Sequence, residues 1–248
     1  MTLEQFFQQN NRVALAFSGG VDSAYLLYAA LQSGADVKAY YVKSAFQPQF
    51  ELEDALRLAT QLGAKMEILQ VDILCHKLIA DNPADRCYHC KKVIFETIST
   101  AAAKDGYSLL LDGTNASDEA SDRPGMRALT ELSVRSPLRE CGLTKGEIRR
   151  LSKEAGLFTW DKPAYACLAT RIASGEIITA KKLSRTESAE KFLASLGFVD
   201  FRIRSREDEA KIQLNAMDLP RMMEMRETVF NELKQYYQEV TLDLEVRK

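Results

Sequence analysis

A serine- and glycine-rich segment near the N-terminus has the composition of a phosphate-binding loop. It follows a short apolar run and precedes a helical pattern, and its candidate ligand residues are Ser18, Gly19, Gly20, Asp22 and Ser23. Glycine lets the backbone approach an anion closely, and a helix N-terminus offers unpaired N–H groups with a partial positive charge. Asp22 by itself would repel a phosphate, so its presence predicts a Mg²⁺ ion between the two. The alternative is an ordinary strand–turn–helix corner with polar caps; the Gly-Lys-Ser/Thr element of a Walker loop is missing.

A second polar segment, residues 112–115, follows another apolar run, and Asp118 comes soon after it. Ligands of an open parallel sheet bind at the carboxyl ends of its strands, where both polar segments are expected to lie. We therefore predict Gly113 as a further nucleotide contact and Asp118 as a second Mg²⁺ ligand. The alternative is an Asx turn with solvated acids.

Three cysteines have a spacing that suits a metal centre. Cys87 and Cys90 form a Cys-x-x-Cys pair, and Cys167, in a loop with proline and small residues, is the natural third thiolate. Three thiolates can hold three irons of a [4Fe–4S] cluster, whose usual ligation is four cysteines, and the fourth iron then stays open for an extra sulfide. Two other interpretations remain open: a zinc site that adds His89, and a Cys87–Cys90 disulfide formed during turnover.

Arginines recur at every second position near residue 204. If the segment is a strand, Arg202, Arg204 and Arg206 point to one face and can clamp a phosphate. The alternative is a solvated sheet face whose arginines pair with Glu207 or Glu209.

The elements that must position these residues alternate between strand and helix over the first two thirds of the chain. Short apolar strands separated by helices predict βαβ units and a doubly wound parallel sheet, an α/β fold. Near residue 170 the pattern changes to that of a smaller α+β domain, so we predict domains at 1–170 and 171–248. The predicted strands are 12–17, 37–42, 66–71, 108–111, 198–205, 210–214 and 240–246, and the predicted helices are 21–33, 50–62, 91–104, 147–154, 179–196 and 218–237.

Bulk composition fits an ordinary globular enzyme. The net charge of the 248 residues is −2, so nothing in the overall balance indicates nucleic acid or an anionic membrane as a partner. No apolar run approaches the roughly 20 residues that span a bilayer, and the N-terminus has no signal-peptide pattern. We expect a cytoplasmic protein with reduced thiols, in which Cys75 and Cys141 are buried packing residues.

The order of these segments resembles one protein family. The first loop is similar to the PP-loop of the N-type ATP pyrophosphatases. It is followed by NPADRCYHCKK from residue 82, DGTNASDEASDRPG from 112, SPL from 136 and KPAYACLATR from 162. The whole set resembles the LarE family of ATP-dependent sulfur transferases of nickel-pincer nucleotide synthesis. This resemblance covers nearly the whole chain.

The resemblance implies an adenine nucleotide alpha hydrolase-like fold and a defined reaction. ATP adenylates a carboxylate of pyridinium-3,5-dicarboxylate mononucleotide, a sulfur nucleophile attacks the acyl carbon, and AMP leaves a thiocarboxylate. Residues 41–44, with Lys43, are implied ATP contacts, and Asp22 and Cys167 are implied catalytic residues. Some members sacrifice the sulfur at the position of Cys167. Because this chain has all three cysteines, it is similar to the subgroup with a [4Fe–4S] cluster, and we expect the cluster to supply the sulfide.

The resemblance also assigns roles to the C-terminal domain. It implies that Arg202 and Arg204 bind the substrate phosphate, with Glu190 near them, and that the domain takes part in a homo-oligomer. The expected partners are therefore a small-molecule nucleotide and further copies of the chain.

Three alternative functions compete with this interpretation. A tRNA thiolase of the PP-loop superfamily would require a broad basic face, which the net charge of −2 does not favour. An amidotransferase-type synthetase leaves the cysteine set without a role. A redox-responsive nucleotide sensor would bind ATP but would release no pyrophosphate with a carboxylate substrate.

Overall fold

The computed structural model describes residues 1–118 and 124–247. By its internal contacts the chain divides into two units. The first unit comprises Met1–Ile73 and Asp85–Tyr165, and the second comprises Leu74–Ala84 and Ala166–Lys248. Five residues of the DGTNASDEASDRPG motif, 119–123, lie outside the described residues, as does residue 248.

The regular elements of the described residues follow one another in a fixed order. The β-strands are β1 (Arg12–Ala16), β2 (Asp36–Lys43), β3 (Lys65–Gln70), β4 (Leu110–Leu111), β5 (Phe201–Arg206), β6 (Glu209–Leu214) and β7 (Glu239–Leu242). The α-helices are α1 (Leu3–Gln9), α2 (Val21–Gln32), α3 (Gln49–Leu62), α4 (Lys77–Ala80), α5 (Arg86–Lys104), α6 (Pro124–Glu131), α7 (Pro137–Glu140), α8 (Lys145–Glu154), α9 (Ala180–Ser195), α10 (Leu219–Glu224) and α11 (Arg226–Leu233). The 3₁₀ helices are Ile73–Cys75, Phe158–Asp161, Leu168–Arg171 and Ala216–Asp218.

The first unit is built on a parallel sheet with strand order β3-β2-β1-β4. Alternate residues of β1 enter different cores: Val13 and Leu15 lie in one hydrophobic cluster, and Ala14 lies in another. Since successive side chains of a strand point to opposite faces, the sheet is covered on both sides. The predicted doubly wound α/β fold is confirmed.

The strand order places two loops at one edge of this sheet. Strand β1 pairs in parallel with β2 on one side and with β4 on the other. The chain therefore adds β2 and β3 on one side of β1 and β4 on the opposite side, which makes β1 a topological switch point. A crevice at such a switch point, outside the carboxyl ends of the strands, is where ligands of this fold class bind. The loops after β1 and β4 are the two polar segments identified from the sequence.

The second unit contains a three-stranded sheet of order β5-β6-β7. Strands β5 and β6 form an antiparallel hairpin, and β7 adds to β6 in parallel. Helices α9, α10 and α11 contribute Leu193, Met222 and Val229 to the core over this sheet. The small α+β domain is therefore present, and residues 74–84, which include α4, belong to it.

Several predicted boundaries were wrong. The predicted helix over 218–237 is two helices, because Met225, with φ −96° and ψ 6°, ends α10 and begins α11. The predicted strands 108–111 and 240–246 shorten to Leu110–Leu111 and Glu239–Leu242. Helix α5 begins five residues earlier than predicted, at Arg86, so the Cys-x-x-Cys pair lies on the helix. Among the described residues, no helix is both long enough and apolar enough to cross a lipid bilayer.

Candidate active site

The loop after β1 is held by hydrogen bonds between its two serines. Ser23 Oγ accepts from the Ser18 N–H at 3.3 Å, lies 3.1 Å from Ser18 Oγ, and donates to the Gly20 carbonyl at 3.1 Å. Gly20 is the N-cap of α2, and Gly19 has φ 72°, a left-handed conformation that favours glycine. The N-terminus of α2 therefore begins at a glycine turn, a geometry that is favourable for binding an anion.

Glycine is also required here by close packing. A Cβ on Gly19 would lie 3.1 Å from Cβ of Ala55 in α3, and a Cβ on Gly113 would lie 2.9 Å from the backbone nitrogen of Ser23. The loop after β4 therefore packs directly against the first turn of α2. The structure brings together the two loops that the sequence assigned to the nucleotide.

Asp22 in the first turn of α2 is surrounded by polar partners. Its Oδ2 lies 2.5 Å from Nζ of Lys145, and its Oδ1 accepts from Nδ2 of Asn115 at 3.4 Å. The sequence analysis missed Lys145. A cation at the first position of a helix opposes the macrodipole, and this unusual placement at the start of α8 is the signal that could have identified it.

The loop after β4 is organised by its own side chains. Asp112 accepts from Thr114 Oγ1 at 2.5 Å and from Ser136 Oγ at 2.6 Å, which gives the SPL motif a structural role. Asn115 Oδ1 accepts the Ser117 N–H at 2.8 Å, which is an Asx turn, and the Asp118 carboxylate accepts the Asn115 N–H at 3.0 Å. The Lys43 ammonium, at the end of β2, donates to the Gln47 carbonyl at 2.5 Å.

A further cation, Lys162, lies in the same unit. Its Nζ is 2.6 Å from Oδ2 of Asp54, an ion pair rather than a well-aligned hydrogen bond. Asp54 directly precedes Ala55, the residue that packs on Gly19. Arg149 fixes the segment by donating to the Lys162 carbonyl at 2.8 Å. The KPAYAC motif thus supplies a positive charge close to the first loop.

The Cys-x-x-Cys pair lies in the first two turns of α5. Cys87 is exposed, Cys90 is buried, and residues three apart on a helix are neighbours on one face. Arg86 Nη2 lies 3.6 Å from Cys87 Sγ, and His89 Nε2 lies 3.3 Å from the Asp85 carboxylate. The histidine that the zinc alternative requires is therefore engaged with an acid.

Cys167 belongs to the second unit, where it is the half-buried N-cap of the 3₁₀ helix Leu168–Arg171. Within residues 1–118 and 124–247, no group of three or more histidine, cysteine, aspartate and glutamate side chains is placed to hold a metal ion. The prediction that Cys75 is buried was wrong, because it is exposed; Cys141 is half-buried, and burial raises the pKa of its thiol.

A cluster of arginines surrounds Glu190 in the second unit. Arg171, whose side chain is 0% exposed, donates to the Glu190 carboxylate through Nε at 2.8 Å and Nη2 at 3.1 Å. Glu190 also accepts the Ile203 N–H of β5 at 3.0 Å, so it joins α9 to the strand that carries Arg202 and Arg204. Sequence analysis missed Arg171, because nothing in a sequence distinguishes a buried arginine from an exposed one.

Burial lowers the pKa of both Arg202 and Arg204, and the neighbouring charges of Arg171 and Arg247 lower these pKa values further. Glu190 acts in the opposite direction on both. Concentrated positive charge that is desolvated and only partly balanced is typical of an anion-binding site. Arg206 is exposed and does not share this environment.

Together, a doubly wound parallel sheet, a Ser-Gly-Gly loop after its first strand and a second loop packed on it define an ATP-dependent enzyme of the PP-loop class. Comparison with known proteins supports this class. The family described as queuosine biosynthesis protein QueC matches residues 12–85. The tRNA-specific 2-thiouridylase MnmA of Thermotoga petrophila is 28% identical over 59% of this chain and 52% of that protein.

Two other relatives match almost the whole chain. An uncharacterized protein of Synechocystis sp. is 38% identical over 98% of this chain and 92% of that protein. The pyridinium-3,5-bisthiocarboxylic acid mononucleotide synthase of Lactiplantibacillus plantarum is 34% identical over 98% of this chain and 89% of that protein. The chain therefore belongs to the LarE family of PP-loop sulfur transferases, as the sequence motifs predicted.

Proposed function

We propose that this protein adenylates a carboxylate of pyridinium-3,5-dicarboxylate mononucleotide and converts it to a thiocarboxylate. The observation that carries the proposal is the similarity to the Lactiplantibacillus synthase, which extends over both the first loop and the arginine cluster. A carboxylate is a poor electrophile because oxide is a poor leaving group. Transfer of AMP from ATP releases pyrophosphate and supplies a leaving phosphate; a C–S bond then forms as the acyl C–O bond breaks.

The first unit binds ATP in this proposal. Its contacts are Lys43, Gly113 and the residues of the first loop: Ser18, Gly19, Gly20, Asp22 and Ser23. Asp22 and Asp118 hold the Mg²⁺, and Lys145 supplies a fixed positive charge beside Asp22. Fixed charges of this kind stabilise the charge that develops during transfer at phosphorus.

Sulfur delivery depends on the three cysteines. We propose that Cys87, Cys90 and Cys167 would hold a [4Fe–4S] cluster, which when bound would supply the sulfide nucleophile. The donor set fits, because thiolates are the usual ligands of such clusters, and two of the three lie one helical turn apart on α5.

The arginines of the second unit bind the substrate phosphate in this proposal. Arg202 and Arg204 supply the N–H donors, and Glu190 orients the cluster through Arg171. We place ATP chemistry in residues 1–170 and substrate binding in 171–248, and we propose a homo-oligomer in the cytoplasm that uses the second region for assembly.

The reaction itself is the first test. Anaerobically purified protein is incubated with ATP, Mg²⁺ and the dicarboxylate mononucleotide, and pyrophosphate, AMP and thiocarboxylate are quantified. We expect pyrophosphate release that requires the carboxylate substrate and a product heavier by the exchange of oxygen for sulfur. Formation of thiolated tRNA instead would support the relationship to MnmA as the functional one and overturn the proposal.

The cluster is tested by composition. Iron and acid-labile sulfide are counted in Cys87→Ala, Cys90→Ala and Cys167→Ala, with Cys75→Ala, another exposed cysteine, as the matched control. We expect loss of iron in the first three variants and retention in the control. Unchanged iron content in those three variants contradicts the ligand assignment.

A further inference from the structure

The turn that carries Cys167 is connected to the arginine cluster by a short chain of hydrogen bonds. The Cys167 carbonyl accepts from the Thr170 N–H at 3.0 Å and from Thr170 Oγ1 at 2.8 Å. The Thr170 carbonyl in turn accepts from Arg204 Nη1 at 2.8 Å. One guanidinium therefore contacts both the predicted phosphate pocket and the end of the turn that begins at Cys167.

The two ends of this turn are anchored differently. At its start, Arg171 Nη1 donates to the Ala166 carbonyl at 2.8 Å, and Arg171 itself is fixed in the fully buried pair with Glu190. At its other end, Thr170 is held by two arginines: its Oγ1 accepts from Arg171 Nη1 at 2.9 Å, and its carbonyl accepts from Nη1 of Arg204, which is half-buried. The Arg171 anchor is inaccessible to a ligand, and the Arg204 anchor is not.

A phosphate competes directly for the donors of Arg204. Its Nε donates to Gln213 Oε1 at 2.8 Å and its Nη1 donates to the Thr170 carbonyl. A guanidinium binds a phosphate in bidentate fashion through either its Nε/Nη2 edge or its Nη1/Nη2 edge. Each edge contains one nitrogen that is already engaged. A charged acceptor forms a hydrogen bond about twice as strong as a neutral carbonyl does, so the phosphate takes the donor.

We propose that Arg204 is a positioning residue for Cys167: it helps to hold the Cys167 turn through the Thr170 carbonyl, and a bound phosphate group withdraws Nη1, so that the turn loses this anchor and keeps only the contacts to Arg171. This inference rests on the proposed function, because it needs the phosphate site in the second unit. It adds that substrate binding and the placement of Cys167, one of the proposed cluster ligands, are coupled. The Cys167 side chain is then more accessible when the phosphate site is filled.

The test measures the labelling rate of the Cys167 thiol rather than turnover. Reduced, cluster-free protein is treated with iodoacetamide at fixed pH, with and without inorganic phosphate, and the Cys167 peptide is quantified against that of exposed Cys75. Losing one hydrogen bond of this kind changes a local equilibrium roughly 2- to 10-fold. We expect phosphate to raise the relative labelling rate of Cys167 in the wild type by a factor in this range.

Two variants separate coupling from binding. Arg204→Gln without phosphate should already label at the phosphate-bound wild-type rate and should not respond further. Arg202→Gln is the matched control, since Arg202 donates to the Phe201 carbonyl; it should weaken phosphate binding but label at the wild-type rate without phosphate. An Arg204→Gln rate equal to that of the ligand-free wild type overturns the inference.

Calorimetry with inorganic phosphate separates a failure of the proposed coupling from a failure of the proposed phosphate site. If phosphate binds the wild type and leaves the Cys167 rate unchanged, the ligand displaces Gln213 instead; the coupling is then wrong and the phosphate site stands. If phosphate does not bind, both the coupling and the proposed phosphate site are overturned. The wild-type comparison needs no variant, so it decides the question even if Arg204→Gln fails to fold.

Discussion

Replacement of Gly113 by alanine tests whether the two loops of the first unit form one nucleotide site. The added Cβ would lie 2.9 Å from the nitrogen of Ser23 and 3.2 Å from its Cα, and both atoms belong to the backbone of α2. Neither can rotate away, so the loop after β4 must move. Overpacking of this kind costs about 1–3 kcal/mol. If that cost falls on the ATP-binding arrangement, ATP binding weakens roughly 5- to 150-fold.

The assay is calorimetric titration of ATP and Mg²⁺ into the protein without the carboxylate substrate, so that binding is separated from chemistry. Gly146→Ala is the matched control, because a Cβ at Gly146 meets nothing within 4 Å. Gly146 lies inside α8, where alanine is favoured over glycine by about 1 kcal/mol, so this variant should be at least as stable as the wild type and bind ATP equally well. Wild-type ATP affinity in folded Gly113→Ala would refute the reasoning.

Three further predictions concern charged groups. Lys145→Met should lower the rate of pyrophosphate release at least about tenfold, because it removes a fixed charge at the first loop; an unchanged rate would exclude that role. The Lys38 hydrogen bond holds the pKa of Asp105 below its ordinary value, so this carboxylate stabilises the fold above about pH 4 and the benefit is lost as pH falls through the lowered pKa. As pH is lowered below ~4, the Tm of the wild type should therefore fall more than the Tm of Asp105→Asn. Parallel curves of Tm against pH for the two proteins would contradict this. Glu190→Ala leaves the Arg171 charge buried and unpaired and should destabilise the protein by about 3–5 kcal/mol in urea unfolding; a cost below ~1 kcal/mol would show that Arg171 finds another partner.

The parts of the fold that could be predicted are those with local causes. The apolar run of β1, the glycines after it and the first turn of α2 form one continuous segment, so the strand, the loop and the helix follow from neighbouring residues. The Thr144–Glu147 capping box at the start of α8 is also a local signal, and both of its reciprocal hydrogen bonds are present. Helix α3 ends at Leu62, the predicted residue, and Gly63 follows it with φ 61°.

What could not be predicted depends on contacts between distant residues. Lys145 and Asp22 are 123 positions apart, and only the packing of α8 against α2 places them together. Residues 74–84 look like a connection between a strand and a helix, yet their hydrogen bonds go to the second unit: the Ile178 N–H donates to the Ala80 carbonyl at 2.8 Å. The break at Met225 likewise reflects tertiary packing, since helical propensity alone continues through it.

The two candidate anion sites share one electrostatic arrangement. Each contains an acidic side chain, which alone would repel a phosphate. Each acid is paired with a cation that was not predicted from the sequence: Lys145 with Asp22, and Arg171 with Glu190. The pairs differ in burial. The Arg171 and Glu190 side chains are 0% and 7% exposed, so that pair is a buried support, whereas Lys145 and Asp22 are 34% and 22% exposed and can be reached by a ligand. In the proposed function Asp22 would hold the Mg²⁺, and the Lys145 ammonium beside it would face the phosphates of the nucleotide. Lys145→Met should therefore lower the rate of pyrophosphate release more than the affinity for Mg²⁺, because a lysine ammonium can stabilise the charge on the nucleotide but cannot ligate the metal.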